Sequence, residues 1–169
     1  MILATHAIIG GAIGKLLPNH PILAFTLGFA SHFVADAIPH WHYPLFSAKI
    51  DKKDPMNNDM LFNKWFVVDL FNIGIDCLLG IAVAVVFLHP PIALDASLVS
   101  ILAGAIGAVI PDALQFVFWK LPDRPLRALQ RFHIWIHSKT DIDAYHLSGI
   151  AMQAALAALI ITVANLFSH

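Results

Sequence analysis

Residues 66–88, FVVDLFNIGIDCLLGIAVAVVFL, form a mainly apolar run long enough to cross the hydrocarbon core of a bilayer as one helix. Two more runs have that length: 94–118, LDASLVSILAGAIGAVIPDALQFVF, and 145–167, YHLSGIAMQAALAALIITVANLF. In lipid only helices and closed barrels satisfy their own backbone groups, and runs this long read as helices. The runs 2–17, ILATHAIIGGAIGKLL, and 21–38, PILAFTLGFASHFVADAI, are shorter than the roughly 20 residues a span needs, so they read as a tilted or partly inserted hairpin. Gly and Ala recur along all five, which lets helices approach closely.

Only 12% of residues are charged, against roughly a quarter in soluble domains. The expected fold is therefore all-α, a polytopic membrane bundle of about five transmembrane helices plus a short interfacial helix. Residues 1–169 read as a single integral-membrane domain. The start, MILATHAIIGG, lacks the basic n-region of a signal peptide. A single cysteine, Cys77, allows no intrachain disulfide. The net charge of −1 gives no field that would attract nucleic acid.

Two connections are polar. Residues 43–65 read as a charged loop free to move, and residues 119–144 as a basic interfacial segment. Within the second, Asp123 and Pro125 mark the start of a short helix. Arg124, Arg127 and Arg131 fall on one face of it, with Leu126, Leu129, His133, Ile136 and His137 roughly opposite. These two connections carry nine of the ten Lys and Arg residues, Lys15 being the tenth. The positive-inside rule makes their side cytoplasmic.

With alternating spans, one layer beneath that side collects His6, His32, Asp36, His40, Asp69, Asn72, Asp76, Asp112, His133, His137 and His146. His20, His89 and His169 fall on the other side. Ionisable groups at membrane depth cost roughly 2.5–3.5 kcal/mol each on insertion scales, so they need partners. A divalent cation is one partner, because imidazole and carboxylate are its natural ligands. His32 and Asp36, four apart, share a helix face, and so do His133 and His137. The expected metal ligands are His6, His32, Asp36, His40, His133 and His137, with His42 and His146 weaker candidates. The expected cofactor is zinc, one or two ions, other divalent metals remaining open.

Blander readings stand beside each of these. The His32–Asp36–His40 group also fits a buried hydrogen-bond cluster. Asp69 and Asp76, with Asn72, fit an interhelical ladder as well as general-base chemistry. Asp112 fits a helix-end carboxylate facing water as well as a catalytic one. The three arginines fit attraction to anionic lipid as well as substrate phosphate binding.

The strings ATH at 4–6, SHFVADAIPHW at 31–41 and IPDALQ at 110–115 resemble the TH, SHxxxD and PD motifs of the bacterial inner-membrane, metal-dependent hydrolase family. The run from His32 through Asp36 to His40 is also distantly similar to the ligand run of zinc-dependent phospholipase C. The resemblance implies a hydrolase in the bacterial cytoplasmic (inner) membrane, with His32, Asp36 and His40 as ligands, His6 as an early ligand and Asp112 as ligand or base. The PDxDH and HRGxTHS patterns usual in the membrane hydrolases have only loose counterparts here.

The function expected from all this is hydrolysis of a lipid phosphate ester at the cytoplasmic interface. Asp69, Asp76 or Asp112 would be the base, and Arg124, Arg127 and Arg131 the phosphate contacts. Translocation of a metal ion or proton is the alternative, and a metal-stabilised scaffold without chemistry is a third reading. Lipid and membrane are the only expected partners, with the oligomeric state open.

Overall fold

The computed structural model describes residues 1–89, 94–140 and 142–168, so His169 lies outside the described residues. Among the described residues six α-helices follow in order: α1 (Leu3–Lys15), α2 (Pro21–Asp36), α3 (Phe66–Leu88), α4 (Ala96–Lys120), α5 (Arg124–Ile136) and α6 (His146–Phe167). Helices α3, α4 and α6 are long and apolar enough to cross a membrane. At 1.5 Å per residue each exceeds the roughly 30 Å of a bilayer core. With 13 and 16 residues, α1 and α2 do not reach that length. Length and composition thus support three crossings, and the α1–α2 pair is a hairpin packed among them.

Helix α4 is the central element and runs along both α1 and α2, while α1 also contacts α3 and α6. Glycine makes this closeness possible. A Cβ on Gly10 or on Gly28 would collide with the Gly104 carbonyl of α4. Small-residue contacts of this kind hold helices together where lipid removes the hydrophobic drive. The outward faces of α3 and α6 remain apolar and uncovered, with Val67, Phe71, Leu78, Leu147 and Leu159 exposed.

The helix ends collect in two layers. Lys15 Nζ donates to the Leu88 carbonyl, Ser100 to that of Pro18, and Asn165 to that of Phe87, all at one end. The start of α1, the end of α2, the start of α3 and the later part of α4 gather at the other, where Asp36 and Asp76 reach across to them.

The 43–65 loop departs from an all-helical reading and from a free one. Ala48–Lys49 pairs antiparallel with Asp59–Met60, and a 3-10 turn, Pro55–Asn57, lies between them. Lys120 at the end of α4 donates to Asp59 at 2.7 Å and to the Met60 carbonyl. Asp69 ties down the other side of the loop.

Candidate metal centre

Asp36 ends α2 with its side chain only 2% exposed, so its charge must be met inside the protein. Helical spacing puts His32 beside it, Nε2 to Oδ2 at 3.2 Å. From α5, His133 Nε2 reaches the same oxygen at 3.0 Å. On the other oxygen, His6 Nε2 lies at 3.1 Å and the Met1 amine at 2.7 Å. From α4, Asp112 Oδ1 stands 3.6 Å from His32 Nε2 and 4.0 Å from His133 Nε2.

The proton arrangement on His32 follows from one bond. Its Nδ1 lies 2.8 Å from the Ala108 carbonyl, which only accepts, so Nδ1 carries the hydrogen. In the neutral ring Nε2 then presents a lone pair to two carboxylates and to the His133 imidazole. Two carboxylates there favour a positive charge at Nε2, whether a proton or a metal cation. A carbonyl fixing the far nitrogen is also how metal-ligating histidines are held. Pro111, inside α4, lacks the N–H that would bond Gly107, which loosens the ladder beside the Ala108 carbonyl.

One ligand atom each from His32, Asp36, Asp112 and His133 lies within 4.8 Å of the others. His6 stays behind this set, stacked on His32 with ring centroids 4.0 Å apart and bonded to Asp36. His40 and His137 turn toward His42 in a neighbouring group, while keeping Nε2 contacts to Asp36 of 3.6 and 4.0 Å. Burial holds the His40 imidazole down at about 3 and lowers His42 and His137 from their ordinary value. All three are therefore neutral near pH 7, the form that ligates metal.

The other carboxylates bond elsewhere. Asp69, fully buried, accepts from the Phe46 and Ser47 amides at 3.1 and 2.6 Å and from the Ser47 hydroxyl at 2.6 Å. Asp76 accepts from the Leu3 amide at 2.7 Å and from the Tyr43 hydroxyl at 3.5 Å. It thereby caps α1, which has no side-chain cap of its own. Gln153 of α6 completes that cap by accepting from the Ile2 amide at 3.1 Å. His146 accepts from the Trp41 indole at 2.9 Å.

Helix α5 starts where its sequence indicates, with Asp123 as N-cap and Pro125 in the first turn. It buries His133, while Arg124, Arg127 and Arg131 are exposed and point away from the four-residue set. Lys139, whose Nζ donates to the Ile134 carbonyl, is the Lys or Arg side chain that borders the site. It lines an apolar cavity of about 820 Å³ whose polar end carries Asp36, Asp112, His133 and His137. Phe66, Leu70 and Ile73 of α3 form one wall and Val109, Ala113 and Phe116 of α4 the other. These helices touch each other little, since both pack on α1, so the cavity opens between them.

No protein-family model, curated protein or solved structure matches this chain. The functional reading therefore rests on the site itself. The sequence singled out His42 only weakly, and Lys139 only as one of several loop cations. His42 follows α2 directly but its partner Asp143 lies 101 residues away, and Lys139 arrives only with the chain that leaves α5, so neither has a local motif.

Proposed function

We propose that this chain is a membrane-embedded, metal-dependent hydrolase acting on a phosphate ester of a lipid. The observation that carries the reading is a set of two imidazoles and two carboxylates, of which Asp36, Asp112 and His133 line an apolar cavity, between helices whose outer faces suit lipid. The cavity volume falls within the roughly 300–1,000 Å³ of ligand pockets. A polar headgroup would lie at the four-residue set, with the acyl portion between α3 and α4.

His32, Asp36 and His133 would hold a divalent cation, zinc by ligand type. When bound, the cation supplies Lewis acidity and a water activated near neutral pH. Asp112, 35% exposed, lines the cavity and would take the proton of the attacking water. As that water adds to phosphorus, the P–O ester bond breaks and solvent protonates the leaving oxygen. Lys139 offers charge to the phosphate in place of the three arginines. His6 positions Asp36. The excess of Lys and Arg in the two polar connections supports a cytoplasmic-facing site.

Translocation fits less well. A conducting path needs polar groups through the full thickness. The far half is instead filled by a buried apolar cluster of Ala12, Ala84, Leu88, Ile101 and Ala164. The test is hydrolysis of phospholipid in vesicles by purified protein, before and after chelation, with zinc added back. Turnover that is lost to chelator and restored by zinc supports the reading. Zinc flux into proteoliposomes without hydrolysis would overturn it.

A further inference from the structure

We propose that His40, His42 and His137 form a second cation site, separate from the four-residue set and joined to it through Asp36. This deepens the metal-dependent reading above and rests on it only for the first ion. One ligand nitrogen from each of the three histidines lies within 4.8 Å of the others. The Nε2 atoms of His40 and His42 are 2.8 Å apart.

Each ring has an oxygen on its far side. His40 Nδ1 lies 2.6 Å from the Ile38 carbonyl, His137 Nδ1 3.1 Å from the Ser138 carbonyl, and His42 Nδ1 3.2 Å from Asp143 Oδ1. Carbonyls and carboxylates accept, so the three Nδ1 atoms carry the hydrogens. The Nε2 atoms of His40 and His42 then turn lone pairs toward each other, with the His137 ring stacked on that of His42. Two lone pairs at hydrogen-bond distance repel unless a cation or a proton lies between them. Three imidazoles, each held through its other nitrogen, make a borderline-soft donor set that suits zinc or a similar divalent ion.

The site is reachable. The trio lines its own cavity of about 140 Å³ together with Ser138, Lys139, Thr140 and Asp143. Three protein ligands beside an open cavity match catalytic rather than structural zinc sites. Asp36 stands between the two groups. Its Oδ2 faces His32 and His133, and its Oδ1 lies 3.6 Å from His40 Nε2. Asp36 thus links the two groups, its Oδ1 also accepting from the Met1 amine at 2.7 Å.

The experiment is zinc stoichiometry of the detergent-purified full chain after dialysis against buffered zinc, for wild type, His42→Ala, His32→Ala and Asp143→Asn. His42 is 39% exposed at its side chain, and circular dichroism with gel filtration checks that each variant keeps its fold. We expect two zinc ions per wild-type chain and one in His42→Ala. In Asp143→Asn we expect two ions, one of them bound roughly 10–100-fold more weakly, the usual effect of losing such a support. A His42→Ala protein holding as much zinc as wild type overturns the second site. A single ion that His32→Ala loses and His42→Ala keeps does the same, and leaves the first site standing. A single ion lost only by His42→Ala supports the trio and overturns the inner ion. A wild type that binds no zinc overturns both.

Discussion

The Nε2 atoms of His32 and His133 stand 3.3 Å apart across a separation of 101 residues, with Asp36 Oδ2 within 3.2 Å of each. One imidazole comes from α2 and the other from α5. Their meeting point is defined only when α5 folds back over the end of α2.

Replacing either imidazole therefore removes one side of the cation set. His32→Ala and His133→Ala are expected to lower zinc affinity and lipid turnover by more than the roughly 10–100-fold seen when a supporting group is lost. Insertion into membranes is expected to persist, because the apolar helices are untouched. Elemental analysis and vesicle hydrolysis check both points. Unchanged zinc in both variants would count against the centre.

Asp69 is expected to behave differently. Asp69→Ala leaves two buried amides and the Ser47 hydroxyl without their acceptor, at a cost of about 1–3 kcal/mol for each group that water does not reach. Trypsin should cut the 43–65 loop at Lys49, Lys52 or Lys53 faster than in wild type, while zinc content stays the same. Loss of zinc would show that the carboxylate reaches the metal.

Two glycines give opposite expectations. A Cβ at Gly10 meets the Gly104 backbone, so Gly10→Ala should destabilise the bundle by about 1–3 kcal/mol, read from thermal unfolding in detergent. At Gly74 a Cβ meets nothing within 4 Å, and that residue lines the larger cavity. Gly74→Leu should leave stability near wild type and reduce hydrolysis of long-chain phospholipid more than that of a soluble phosphodiester. Equal losses on both substrates would argue against the cavity as the acyl site.

The Asp59–Lys120 pair gives a pH signature. The Lys120 ammonium lowers the Asp59 carboxyl from its ordinary value, so the pair's stabilisation is present above the ordinary carboxylate range and is lost as pH falls through the depressed value. Carboxyl NMR should find Asp59 titrating below that range in wild type and closer to it in Lys120→Met. An unchanged titration in the variant would mean that the contact does not persist in solution.

Much of the architecture was legible in order along the chain. The lengths of α3, α4 and α6 follow from apolar runs, and Asp123 with Pro125 marks the start of α5. The His32–Asp36 pairing is also local, since residues four apart share a helix face. Asp69 and Asp76 were harder to read. A carboxylate on an apolar helix looks the same in sequence whether it serves a metal, a loop or the start of another helix. Asp76 caps α1 from a distance of 73 residues, and no periodicity signals that. Helical spacing puts Arg124, Arg127 and Arg131 on one exposed face, and where that face points depends on how α5 docks.

The sequence by itself determined that this chain forms apolar helices with imidazoles and carboxylates near their ends, because helix length and side-chain spacing are local properties. Tertiary structure alone decided which of those groups converge. Glycine contacts bring α1 and α2 against α4, and the return of α5 sets His133 over Asp36 and His137 beside His40 and His42. Those placements depend on the packing of distant backbones, which no stretch of neighbouring residues encodes.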